Sequence, residues 1–123
     1  MIEKPKPISI KSRKAKARGL QNEIKDDIQR CFHLSDFDVK SSSMGLQGAD
    51  IQLSMEAKRR FNFAIECKHR NSLNIWAALE QAQNHSKTDS TKPIPLMVFK
   101  RDRSAIYVAL KWDDFLKIYM KQM

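Results

Sequence analysis

Glu66-Cys67-Lys68 ends the apolar run Phe61, Phe63, Ala64 and Ile65. Phe and Ile favour extended backbone, so this run into Glu66-Cys67-Lys68 is predicted as a strand with at least one buried face. On a strand, residues two apart share a face. Glu66 and Lys68 then project together, while Ile65 and Cys67 turn the other way into a core. An acid at the end of a buried strand is costly to desolvate. Alone, the pattern reads as an ion pair at the solvent boundary, so its neighbours decide.

Upstream, KSSSMGLQGADIQ (residues 40–52) holds two of the three glycines and leads into Asp50, Ile51 and Leu53. Asp50 therefore opens a second strand. The polar stretch MEAKRR (residues 55–60) suits a hairpin connection, which predicts that the Asp50 strand runs antiparallel to the Glu66 strand. Two carboxylates on neighbouring strands, with a lysine beside the second, are what a hard cation and a phosphate require. Mg²⁺ takes one or two carboxylates, several waters and substrate phosphate. A lysine next to it can steady an attacking water or the charge that develops on phosphorus.

Gly48-Ala49-Asp50-Ile51, then Ile65-Glu66-Cys67-Lys68 with fifteen residues between the two acids, resembles the PD-(D/E)XK nuclease superfamily. Within it the chain is most similar to the archaeal and phage Holliday-junction resolvases. The similarity runs from about Arg18 to Leu110. It takes in the helix start RGLQNE, the serine-rich turn, the helix containing EQAQ, and the closing segments PLMVFK and SAIYVAL. Ala49 replaces the proline of the superfamily's name.

The resemblance implies a restriction-endonuclease-like fold and a structure-selective DNA endonuclease that leaves 5′-phosphate ends. It implies catalytic Glu23, Asp50, Glu66 and Lys68. Its metal ligands would be Glu23, Asp50, Glu66 and the Cys67 backbone carbonyl, holding Mg²⁺ or Mn²⁺. It also implies that a serine of 41–43 contacts DNA, with Ser43 nearest in register, and that Gln81 supports the site from its helix. By residue type alone, Glu23 is a solvated helix charge, and Gln81 is equally a polar helix face. Paired nicks across a two-fold junction call for a C₂ homodimer. The same residues also serve nucleases of repair, replication or restriction. A non-catalytic basic DNA-binding protein is the reading from another class.

The composition agrees with a polyanion partner. The chain of 123 residues carries a net charge of +9. Residues 1–18 hold seven cations against Glu3, a net of +6, which leaves about +3 for the remainder. Lys11, Arg13, Lys14, Lys16 and Arg18, with His69 and Arg70 beyond the Glu66 strand, are therefore assigned to DNA phosphates. Cys31 and Cys67 form no ligand spacing and no disulfide framework, which points to a reducing cytosol; the resemblance implies that of a prokaryote or a phage-infected host cell. No apolar run suits a membrane span or a secretory leader.

These residues need elements to position them. The length suits one α/β domain, a central mixed sheet flanked by helices in the order αβββαββα. Residues 1–17, with Pro5 and Pro7, are expected as a flexible basic arm, and 18–123 as the nuclease domain. A helix is predicted over Gly19–His33 from Leu20, Ile24, Ile28 and Phe32, and a short strand over Asp36–Ser41. Asn71 or Ser72 is expected to cap a helix to about Lys87 with Ile75, Trp76, Leu79 and Ala82 inward. Strands follow at Ile94–Lys100 and Ser104–Leu110. A closing helix from Lys111 is expected to pack Trp112, Phe115, Leu116 and Tyr119 against the sheet.

Overall fold

A computed structural model describes residues 9–42 and 48–122. Helix α1 (Ile10–Phe32) is followed by strands β1 (Val39–Ser41) and β2 (Ile51–Leu53), helix α2 (Met55–Arg60) and strand β3 (Phe63–His69). Helix α3 (Ile75–Thr88), strands β4 (Ile94–Lys100) and β5 (Tyr107–Ala109) and helix α4 (Trp112–Lys121) complete the order. β3 pairs parallel with β4, and β4 pairs antiparallel with β5. β1 and β2 form a separate antiparallel pair. The architecture is thus α/β, with a mixed sheet between helices.

α1 begins at Ile10, not at Gly19. The Ser9 hydroxyl accepts a hydrogen bond from the Ser12 N–H, which caps a run of Lys, Arg and Ala. Those residues are strong helix formers, so the cap outweighs the single glycine inside. Residues 10–17 of the expected arm are therefore helical, and the earlier part of it lies outside the described residues.

MEAKRR is a helix, not a hairpin. The Ser54 hydroxyl caps it by accepting from the Ala57 N–H. Glu56 sits in its first turn and Lys58, Arg59 and Arg60 in its last, which complements the helix dipole. β2 consequently pairs with β1 and not with β3.

The core lies on one face of the sheet. Leu20 and Ile28 of α1 pack with Val39, Ile51, Ile65, Cys67, Leu96 and Val98, with Ile24 and Phe32 at the margin. On the other face α3 covers β3 and β4 through Ala78 and Ala82, buried with Ala64 and Met97. Small side chains let that helix approach closely. Ile75 and Trp76 do not turn inward as expected, and Trp76 is 82% exposed. The helix also starts later than expected: Asn74, not Asn71 or Ser72, caps it by accepting from the Ala77 N–H.

The aromatic residues of α4 also face outward, with Trp112 68% and Tyr119 60% exposed. Trp112, Phe115 and Tyr119 stack on one another instead, with ring centroids 5.8 and 6.3 Å apart. β1 and β5 are shorter than predicted. Asp38 is drawn to Ser54, and Ser104 closes the β4–β5 turn by accepting from the Arg101 N–H.

Candidate active site

Glu66 stands in the middle of β3 and is only 5% exposed. Asp50 reaches it from the strand edge that β4 leaves free. The Asp50 N–H donates to the Ile65 carbonyl at 2.9 Å, and its Oδ2 accepts from the Cys67 N–H at 2.7 Å. Asp50 therefore straddles Glu66. A strand residue directs its N–H and C=O to the same side, so the Cys67 carbonyl also opens toward Asp50. Adjacency expected from a hairpin is delivered by this backbone and side-chain clasp.

The two carboxyl groups lie within hydrogen-bonding reach, and Glu66 Oε2 is buried without a partner. Burial, then the Asp50 charge, pushes the Glu66 carboxyl up to about 8, and Lys68 opposes the shift. A buried acid with an unsatisfied oxygen, beside a half-buried second acid, is short of positive charge. A hard divalent cation meets that need with the donor set present: two carboxylates and a backbone carbonyl. Lys68 follows two residues on from Glu66, on the same face and half-buried. The Cys67 thiol lies on the opposite face, where burial pushes its pKa up, so it is a packing group and not a nucleophile.

The other expected site residues are not gathered here. Glu23 is exposed on α1, and no three His, Cys, Asp or Glu side chains among the described residues converge on a metal position. Gln81 is exposed on α3. Ser43 lies outside the described residues. Ser42 pins the turn instead: its hydroxyl donates to the Ala49 carbonyl at 2.6 Å and its N–H to the Asp50 carbonyl at 2.8 Å. Ser41 donates to Asn22 Oδ1.

His69 is not solvent-facing. Its ring is 16% exposed and its Nε2 meets Asp102 Oδ1 at 2.8 Å. Lys16 Nζ lies 2.9 Å from both Asp102 oxygens, and Asn71 Nδ2 donates to the same carboxylate. Lys16, Asn71 and His69 together hold the Asp102 carboxyl well below the usual range. These two expected phosphate contacts are thus engaged in tying α1 and β3 to the β4–β5 turn. Lys11, Lys14 and Arg18 remain exposed at helical spacing, on one stripe of α1, with Arg13 beside it. Arg70 is exposed at the end of β3.

Gln21 was not picked out by its sequence position. It is buried on α1 with its Oε1 unpartnered. Its only signal is that it follows Leu20 on the inward side of the stripe.

No helix among the described residues is long and apolar enough to cross a membrane. No curated protein and no solved structure matches the chain. The family model described as "Phage putative PDDEXK endonuclease" matches residues 14–123. This range contains the whole Asp50–Glu66–Lys68 arrangement, and the chain belongs to that PD-(D/E)XK endonuclease family.

Proposed function

We propose that the protein is a metal-dependent, structure-selective DNA endonuclease, a Holliday-junction resolvase that makes paired symmetric nicks. The observation that carries this is the clasp of Asp50 around Glu66, with Lys68 on the Glu66 face. Asp50, Glu66 and the Cys67 carbonyl would hold Mg²⁺, or Mn²⁺ in its place. When bound, the cation supplies charge neutralisation for the phosphodiester and acidity for water. Lys68 brings its ammonium group to the scissile phosphate, where it offsets charge developing in the transition state. Asp50 and Glu66 orient the attacking side, and α3 over the sheet restricts access to it.

DNA is held through phosphates by the α1 stripe of Lys11, Lys14 and Arg18 with Arg13, and by Arg70. The protein works in the cytoplasm of a prokaryotic or phage-infected cell. A second copy supplies the second nick. The exposed aromatic face of α4 supports this. Its Asp113 and Asp114 lie at one end and Lys117 and Lys121 toward the other, so two such helices placed antiparallel across a two-fold axis are complementary in charge. The neutral helix also stands out on a chain of net charge +9.

The test is cleavage of a labelled immobile four-way junction beside matched linear duplex, each with and without Mg²⁺. Paired nicks confined to the junction support resolvase activity. Cutting of both substrates would shift the assignment to a general nuclease of repair, replication or restriction. Tight binding with no cutting would leave a DNA-binding protein without catalysis.

A further inference from the structure

Strand register carries the Lys68 position across the sheet. Lys68 pairs with Phe99 on β4, and Phe99 pairs with Tyr107 on β5. Register neighbours project from the same face, so Lys68, Phe99 and Tyr107 form one row on the face that holds Glu66. Two strand spacings place Tyr107 about 10 Å from Lys68 along that row. The Phe99 and Tyr107 rings lie 6.0 Å apart, and Tyr107 is 57% exposed.

These two rings, with Ile75 from the first turn of α3, line a cavity of about 350 Å³. Its rim carries Arg70, Lys100 and Arg101. None of the three has an ion-pair partner among the described residues. The acid nearest in sequence, Asp102, is already committed to Lys16, His69 and Asn71. An aromatic floor under three uncompensated cations suits a group with a flat π-face and attached negative charge.

We propose that this cavity is a nucleotide subsite, which takes one unpaired base of the DNA beside the cut. The inference rests on the nuclease reading above and deepens it. The base lies on Tyr107 and Phe99, and its flanking phosphates meet Arg70, Lys100 and Arg101. A cavity of this size admits one nucleotide and not a base pair. The substrate must therefore present an unstacked nucleotide next to the scissile phosphate, as branch points and bulges do. Stacking on an aromatic ring tolerates any base, so the subsite selects structure without reading sequence.

The experiment compares affinity for two duplexes, with Ca²⁺ in place of Mg²⁺. One carries a single unpaired thymidine, and the other an abasic site at the same position. Wild type is expected to bind the first about tenfold more tightly, the scale of one base stacked on an aromatic side chain. Tyr107→Ala should erase that preference while keeping affinity for the abasic duplex, and Tyr107→Phe should preserve it. Because Tyr107 is exposed, neither change removes core packing. Arg101→Ala should weaken both duplexes alike and lower the salt dependence. Equal affinity of wild type for the two duplexes would overturn the subsite. Cleavage of the same duplexes by wild type with Mg²⁺ tests the nuclease reading separately, so cutting without base preference would sink the subsite alone. Absence of both cutting and binding would sink the two together.

Discussion

The two faces of β3 are built to opposite ends. Ile65 and Cys67 face α1 and lie among Leu20, Ile28, Leu96 and Val98 in a closed apolar core. Glu66 and Lys68 face α3, whose contacts to the sheet run through small residues, Ala78 and Ala82. One face gains free energy from burial, and the other spends part of it by holding a carboxyl group away from water. A strand can do both because its side chains alternate, so the stable face fixes the backbone that the reactive face needs. On the proposed reading, stability and chemistry are therefore separable one residue at a time.

Mutations on the two faces should part company. Asp50→Asn and Glu66→Gln are expected to lower the cleavage rate by roughly 10²–10³-fold or more, the scale of losing a preorganised charged group. DNA binding should be kept or tightened, because a negative charge near phosphate is removed. Normal cleavage by either variant would show that the chemistry lies elsewhere. Across the strand, Ile65→Ala should cost about 2–5 kcal/mol in chemical denaturation, the usual range for emptying a buried aliphatic site. Its folded fraction should still cut DNA. Loss of cutting in step with Asp50→Asn would mean that the faces are coupled.

Proton and metal should compete on the reactive face alone. The Glu66 carboxyl is raised from 4.5 to about 8 in the folded chain. The folded state thus holds a proton that the unfolded chain releases. This contribution to stability is complete below the unfolded value and is lost as pH rises through the folded one. A divalent cation replaces that proton. Thermal unfolding should show a larger gain from added Mg²⁺ at about pH 9 than near pH 5. An equal gain at both would place the metal away from Glu66. The smallest effect is expected on the outer side of α1. Each alanine replacement of Lys11, Lys14 or Arg18 should reduce the slope of log affinity against log salt by about 0.9, the contribution of one phosphate contact. An unchanged slope would remove that residue from the DNA surface.

Much of the reactive face was legible in the sequence. β4 spans Ile94–Lys100 as expected, because an apolar run is bounded there by proline and charge. Glu66 and Lys68 could be placed on one side of a strand by alternation alone. The route by which Asp50 arrives could not, because the polar run 55–60 reads by composition as a turn, although Ser54 and the helix formers after it mark a capped helix. The pairing of Lys16 with Asp102 joins residues 86 positions apart, and no local spacing announces it. For α4, amphipathic periodicity revealed an apolar face but carried no information about what covers it.

The parallel partnership of β3 with β4 also bears on when activity can arise during synthesis. Parallel neighbours need a crossover, and here α3 must form and the chain must return before β3 gains its partner. Contacts of that separation form late, after the loop between them has been closed. A nascent chain that ends before Lys100 has both carboxylates in hand and no completed strand on which to set them. On the proposed reading, cutting power is expected only once the chain through Lys100 has been made and has closed onto β3.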